Sequence, residues 1–246
     1  MAALPRDSEL SKLRGAEAAG QNAPARASLG RYAAAVCFAS MGATWGIGAA
    51  LICRAEACGT ESLDARGLFW FAGIRSDLLD FIFGTLTWAG SLSLLIPGAA
   101  TVVVLLLRAG RVREAVFTSL SLAGISGMTH LVKLAVARPR PAWYEAVTSM
   151  PPDLSFPSAH AAQITAFVIA CIIVFKRLHT PRIGVIAAAA GAVLIALVCT
   201  SRLYLQVHFP SDVLAGALAA ALWVAGLGAM LPPAQGRMNK SAASAS

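Results

Sequence analysis

Six long apolar segments constrain the fold of this chain more than any other feature of its sequence. They lie near residues 32–52, 88–107, 115–136, 159–175, 183–200 and 212–231. Each has roughly the 17 to 22 residues that a helix needs to cross the hydrocarbon core of a bilayer. Because 57% of the 246 residues are hydrophobic and only 13% are charged, polar residues are too few to cover a water-soluble protein. The sequence therefore predicts an all-α membrane protein, a bundle of six transmembrane helices.

A further apolar stretch, Phe69–Thr87, contains Arg75, Asp77 and Asp80. Each charge at the centre of a bilayer costs roughly 2.5–3.5 kcal/mol on insertion scales. We therefore predict that this stretch is an additional amphipathic helix in the membrane interface and not a seventh span. A seventh span would invert the topology of everything that follows it.

The basic residues indicate how the bundle is oriented. Of the 20 Lys and Arg residues, 13 fall on the side of the amino terminus, as the positive-inside rule expects for the cytoplasm. The net charge of +8 is thus explained by orientation and does not indicate nucleic-acid binding. Both termini are predicted to be cytoplasmic, with disordered tails over 1–30 and 232–246. On the opposite side, Cys53 and Cys58 either form a short disulfide or remain two thiols.

Three polar segments are predicted to meet on the outward face: Lys133–Pro141, Phe156–His160 and Ser201–Asp212. Successive spans alternate in direction, so the loop after the third span and the loop after the fifth lie on the same side. The fourth and sixth helices begin there and direct free N–H groups into the shared space, which favours an anion.

The cations in these segments suit a phosphate. Arg140 and Arg202 can bind phosphate oxygens through their guanidinium forks, and Lys133 adds a mobile point charge. The carboxylates on this face are scattered in sequence, so the sequence predicts no magnesium site and no other cofactor.

The histidines supply a nucleophile and an acid. His208 and Asp212 are four residues apart across a helix start, so the carboxylate can accept from one ring nitrogen and leave the other free to attack. His160 can then protonate the leaving oxygen.

The spacings Lys133-x6-Arg140-Pro141, Pro157-Ser158-Ala159-His160 and Ser201-Arg202-x5-His208-x3-Asp212 resemble the three-part signature of the type-2 phosphatidic acid phosphatase (PAP2) superfamily. The resemblance extends over roughly residues 32–231 and includes the six-span layout. It implies that His208 forms a phosphohistidine, that Asp212 orients it and that His160 is the general acid. It also implies a set of phosphate-holding residues, namely Lys133, Arg140, Ser158 and Arg202.

Two features depart from the family pattern. Ala159 stands where the family usually has glycine; its backbone N–H can still donate to phosphate, but its Cβ narrows the approach. Arg138 begins a second Arg-Pro pair at the wrong distance from Lys133. We expect Arg138 either to contact a lipid headgroup or to serve as a structural charge.

The resemblance implies a membrane phosphatase domain over 31–231, of a type found in the inner membrane of bacteria. The distribution of the basic residues predicts that its site faces the periplasm or exterior. The expected partners are the bilayer and a lipid phosphate or pyrophosphate. Undecaprenyl pyrophosphate is favoured because it is left on the outer leaflet, and phosphatidic acid, phosphatidylglycerol phosphate and lipid A are alternatives. Specificity is expected from Arg138, Trp143, Tyr144 and Phe69–Thr87.

Three other functions stay open. The phosphohistidine could pass its phosphate to a second lipid instead of water. A vanadium haloperoxidase would use a similar anion cage, although those enzymes are soluble and much larger. A non-enzymatic protein could bind or transport an anionic lipid, but it would have no need of an oriented nucleophilic histidine.

Overall fold

The computed structural model describes residues 7–51, 62–178 and 181–231, and within these ranges it is helical without strands. Cys53, Cys58 and the tail 232–246 lie outside the described residues. A short 3-10 helix, Thr87–Gly90, connects two of the α-helices. The α-helices are α1 Asp7–Leu51, α2 Leu63–Gly73, α3 Asp77–Leu86, α4 Leu92–Arg108, α5 Val112–Val136, α6 Ala159–Leu178, α7 Pro181–Tyr204 and α8 Pro210–Met230.

The predicted bundle of six spans is confirmed. Among the described residues, five helical segments are long and apolar enough to cross a membrane: Ser28–Ala50, Val112–Val136, Ala159–Lys176, Arg182–Tyr204 and Pro210–Met230. Asp77–Gly90 and Leu92–Arg108 pass the same test together, with a bend of 46° between them. Counted as one broken span, this pair gives the sixth.

The stretch Phe69–Thr87 differs from the prediction of a single amphipathic helix. It contains the end of α2 and the whole of α3, and the chain leaves helical geometry between Gly73 and Asp77. The Ser76 hydroxyl caps α3 by accepting from the Leu79 N–H, and acidic residues occupy the first turn of α3. A capping serine followed by acidic residues favours a helix start, which is why the helix is interrupted here.

The amino-terminal segment also differs from its prediction. Helix α1 begins at Asp7, so most of the segment 1–30 is helical where we predicted a disordered tail. This segment is rich in alanine, the residue with the highest intrinsic helix propensity.

Close packing between α6 and α8 brings two of the polar segments together. Both helices bury alanines along their contact, including Ala162 and Ala166 of α6 and Ala219 of α8, and such small residues allow helix backbones to approach. A Cβ atom added to Gly216 of α8 would lie 2.6 Å from the carbonyl oxygen of Ser158. Glycine at this position therefore permits α8 to contact the start of α6.

Candidate active site

A cavity of about 440 Å³ lies where α5 and α7 end and α6 and α8 begin. Six of the eight predicted site residues line it: Lys133, Arg140, Ala159, His160, Arg202 and His208. The other lining residues are Ser91, Leu92, Ser126, Thr129, His130, Pro151, Asp153 and Gln163. The tertiary structure thus gathers residues from all three polar segments around one space.

Asp212 lies behind His208, fully buried in the first turn of α8. Its Oδ2 atom is 3.3 Å from Nδ1 of His208 and accepts from the Phe209 N–H at 3.0 Å. The Ser155 hydroxyl donates to the same oxygen and lies 3.4 Å from Nδ1. These contacts fix both the carboxylate and the edge of the imidazole that faces it.

The other ring nitrogen of His208 faces Arg140, whose Nη1 lies 3.1 Å from Nε2. A guanidinium group only donates, so Nε2 must act as the acceptor and Nδ1 carries the proton that Asp212 accepts. Burial lowers the pKa of His208 well below its usual 6.5, and the positive charges of Arg140 and Arg202 lower it further. The imidazole is therefore neutral at physiological pH, with the lone pair on the nitrogen that faces the cavity.

Arg138 is a structural charge and not a headgroup contact, since its side chain is 1% exposed. Its guanidinium donates to Asp212 Oδ1 at 2.5 Å, to Asp64 Oδ2 at 2.8 Å and to the Ser211 hydroxyl at 2.8 Å. It also lies 3.8 Å from the centre of the Phe209 ring, a cation–π contact. Among the described residues only its Nε atom lacks a hydrogen-bond partner. Buried charges need such pairing, so Arg138 ties α2 to the carboxylate that holds His208.

Asp64 is a site-supporting residue that sequence reasoning missed. It lies in the first turn of α2, where it accepts from the backbone N–H of Ser211 at 2.9 Å and from its hydroxyl at 2.7 Å. It belongs to none of the three polar segments. Because it is 74 residues from Arg138, no local sequence pattern indicated that the two side chains would pair.

Asp153 is the second missed residue, because in the sequence it is one of several scattered carboxylates. It forms ion pairs with Lys133 at 2.8 Å and with Arg140. Burial alone would raise the pKa of Asp153, but the hydrogen bonds from Lys133 and Arg140 outweigh this effect and lower it to about 2. The carboxylate is therefore ionised on the cavity wall.

Arg202 and His160 complete the wall, and both are held by the segment that joins α3 to α4. The Arg202 guanidinium, which is almost fully buried, donates to the Thr87 hydroxyl. A Cβ atom on Gly90 would lie 3.2 Å from the side chain of His160 and 2.7 Å from Val198. The 3-10 helix can approach His160 this closely only because residue 90 is glycine.

Ser158 is the predicted phosphate ligand that the structure leaves away from the cavity. It is fully buried, and among the described residues its hydroxyl has no hydrogen-bond partner. Its backbone N–H donates to the Asp212 carbonyl at 3.0 Å, a contact between α8 and the start of α6. Ala159, the next residue, does line the cavity.

The predicted specificity residues occupy different positions. Trp143 is 39% exposed and packs edge-on against Phe209, with the ring centres 5.6 Å apart. Tyr144 is half-buried in the same loop. Arg138 faces the protein interior, so it cannot select the lipid by direct contact.

Comparisons with known proteins identify a family and a fold. A model of the PAP2 superfamily matches residues 114–234, which contain all three polar segments. No curated protein sequence matches the chain.

Two crystal structures share the fold. One is of a transmembrane PAP2 type phosphatidylglycerolphosphate phosphatase from Bacillus subtilis, with a TM-score of 0.66 and 22% identity over 78% of this chain and 93% of that chain. The other is of Aquifex aeolicus LpxE, with a TM-score of 0.50 and 22% identity over 69% of this chain and 95% of that chain.

Proposed function

This chain belongs to the PAP2 superfamily through residues 114–234, and from that premise we propose that it is a membrane lipid phosphatase that works through a phosphohistidine on His208. One observation carries the proposal. The neutral His208 imidazole is backed by Asp212 and directs Nε2 into a cavity that Lys133, Arg140 and Arg202 also line. A phosphate bound by those cations would lie next to the nucleophile.

The reaction would take place in two steps. In the first, His208 Nε2 attacks phosphorus, a P–N bond forms, the P–O bond to the lipid breaks, and His160 gives its proton to the leaving oxygen. Asp212 stabilises the positive charge that develops on the imidazole. In the second, water gives a proton to His160 and attacks phosphorus, the P–N bond breaks, and inorganic phosphate leaves.

The shape of the cavity supports a substrate with an anchor in the bilayer. Its lining continues along α5 from Lys133 through Thr129 to Ser126. Seven residues of helix correspond to about 10 Å of depth below the cations. Ser91 and Leu92, at the start of α4, line the same cavity, whereas no residue of Phe69–Thr87 does. This favours a lateral opening of the cavity to the bilayer between α4 and α5.

We propose that the reaction needs no metal ion, because three cations can neutralise the charge that develops on the phosphoryl oxygens. Within the described ranges, no group of three or more His, Cys, Asp or Glu side chains is placed to hold a metal. Activity in excess EDTA would support this part of the proposal, and loss of activity that magnesium restores would contradict it.

The orientation of the chain in the membrane is the basis for the lipid substrate that we propose. With 13 of the 20 Lys and Arg residues on the cytoplasmic side, the site would face the outer leaflet of a bacterial inner membrane. Undecaprenyl pyrophosphate is exposed there, so we propose it as the preferred substrate. Phosphatidylglycerol phosphate, which the name of the Bacillus subtilis protein states as its substrate, is the first alternative. Phosphatidic acid and lipid A follow.

A phosphate-release screen with purified protein in detergent tests the proposal. It compares the four lipids at equal mole fraction, with His208→Ala as the inactive control. Release from any of them that is lost in His208→Ala supports the phosphatase, whereas binding without release would favour a non-enzymatic lipid-binding protein. If undecaprenyl pyrophosphate were cleaved tenfold more slowly than phosphatidic acid, a difference of about 1.4 kcal/mol in the barrier, the prenyl assignment would be wrong. An added lipid alcohol that captures the phosphate would identify a phosphotransferase.

A further inference from the structure

Asp153 binds two of the cations that are expected to hold the substrate phosphate. Lys133 Nζ lies 2.8 Å from one carboxylate oxygen, and Arg140 Nη2 contacts the other. Arg140 Nε also donates to the Asp153 backbone carbonyl at 2.8 Å. Two carboxylate oxygens thus take the hydrogen bonds that two phosphoryl oxygens would otherwise accept.

The carboxylate reaches these cations from outside. The side chain of Asp153 is 49% exposed, whereas those of Lys133 and Arg140 are 4% and 8% exposed. The loop that carries Asp153 is attached on both sides, by Val147 N–H to the Leu205 carbonyl at 3.3 Å and by Ser155 N–H to the Arg138 carbonyl at 2.8 Å. Between these attachments, residues 148–150, 152 and 153 are exposed, and the backbone carbonyls of Asp153 and Leu154 accept from Arg140 and Lys133. The carboxylate can therefore leave by turning its own side chain towards solvent, with the backbone still held.

The same contact sets the position of Arg140. Asp153 engages Nε and Nη2 of the guanidinium, and Nη1 then donates to the Val207 carbonyl at 2.6 Å and lies 3.1 Å from His208 Nε2. The attacking nitrogen is therefore hydrogen-bonded for as long as Arg140 keeps this position. Arg140 must turn towards the phosphate before His208 can use its lone pair.

We propose that Asp153 is a specificity residue that competes with the substrate phosphate for Lys133 and Arg140, so that a terminal phosphate displaces it and a phosphodiester does not. This inference rests on the proposed function of the cavity. A terminal phosphate brings up to two negative charges in exchange for one, so the exchange adds attraction to the three cations. A phosphodiester brings one charge in exchange for one, so the exchange adds no attraction to the cations. Most phospholipids around the protein are diesters, and Asp153 would keep them off the nucleophile.

Competition of this kind raises the apparent dissociation constant of each anion, and the diester, which binds the cations more weakly, is the anion that this keeps out of the site. If the carboxylate occupies the cations for nine-tenths of the time, the apparent constant is about tenfold above the intrinsic one. Asp153→Asn removes the charge and keeps the size of the side chain. We expect this variant to bind inorganic phosphate at least fivefold more tightly in a calorimetric titration of the purified protein.

The matched control is Glu145→Gln. It removes an exposed carboxylate from the same loop, and Glu145 is not part of the cavity lining. It should bind phosphate like the unaltered protein. In release assays with dioctanoyl phosphatidic acid, Asp153→Asn should lower KM, and dioctanoyl phosphatidylglycerol should inhibit this variant at least fivefold more strongly than the unaltered protein.

The two proposals can fail separately. If no lipid phosphate is hydrolysed, the proposed phosphatase activity is wrong, while the phosphate titration still tests whether Asp153 competes for the two cations. If Asp153→Asn binds phosphate no more tightly, or more weakly, then Asp153 supports the two cations and does not compete for them, and the inference is wrong. Tighter phosphate binding with unchanged inhibition by the diester would overturn the selectivity part.

Discussion

Replacing Arg138 with methionine should damage both the fold and the catalytic histidine. The substitution keeps an apolar stem of similar length but removes the only cation that bonds both Asp64 and Asp212 among the described residues. Both carboxylates would stay buried and would lose the cation that they share, and an unpaired buried charge strongly destabilises the fold. The consequence falls on His208, because Asp212 accepts its Nδ1 proton only as a carboxylate.

The magnitude follows from the burial of the pair. Side-chain exposure is 1% for Arg138 and 0% for Asp212, and removing one partner of such a buried pair costs about 3–5 kcal/mol. This is a large part of the roughly 5–15 kcal/mol that stabilises a typical domain. For activity, the reference is loss of the orienting carboxylate in a catalytic triad, which costs about 10⁴-fold in rate. The stability and the phosphate-release rate of Arg138→Lys should lie between those of Arg138→Met and the unaltered protein. Lysine keeps the positive charge, but its ammonium lacks the planar fork that bonds both carboxylates.

Thermal unfolding and phosphate release, measured on the same detergent-purified samples, test this prediction. Arg66→Met is the control, since Arg66 is exposed on α2. Adding Asp64→Asn to Arg138→Met removes one of the two stranded charges and should recover part of the stability. If Arg138→Met unfolds at the temperature of the control and releases phosphate at the unaltered rate, the buried network does not hold His208 and the reasoning is refuted.

Four further results are expected. His208→Ala should abolish phosphate release in a folded protein, and His160→Ala should reduce it about 10²–10⁴-fold, as loss of a general acid does; turnover in His208→Ala would contradict the nucleophile assignment. Gly216→Ala should cost about 1–3 kcal/mol of stability, because its Cβ would meet the backbone of Ser158, whereas Gly127→Ala, with nothing within 4 Å, should cost none. Vanadate should inhibit as a transition-state mimic while EDTA does not; the reverse pattern would point to a metal enzyme. Green fluorescent protein fused to the carboxyl terminus should fluoresce, and a dark, stably expressed fusion would reverse the orientation.

The sequence by itself determined the class of fold. Apolar segments of membrane-crossing length leave the backbone no alternative to helices, because lipid offers it no hydrogen-bond partners. Successive spans cross the membrane in opposite directions, so the loops after the third and fifth spans lie on the same side. The order of the segments was therefore enough to assign Lys133, His160 and His208 to one site. The spacing within each polar segment also predicted that His208 and Asp212 would meet, since residues four apart across a helix start are neighbours in space.

Only the tertiary structure decided which charges pair. The sequence left Arg138 open to contact with lipid, and its burial against Asp64, 74 residues away, excludes that contact. Asp153 is one carboxylate among several in the sequence, and the loop between α5 and α6 brings it onto Lys133 and Arg140. Ser158 fits its motif, yet it is fully buried where α8 packs against the start of α6 and does not line the cavity. Hydrophobicity and helical period act over neighbouring residues, whereas ion pairing and burial depend on distances that exist only once the helices have packed.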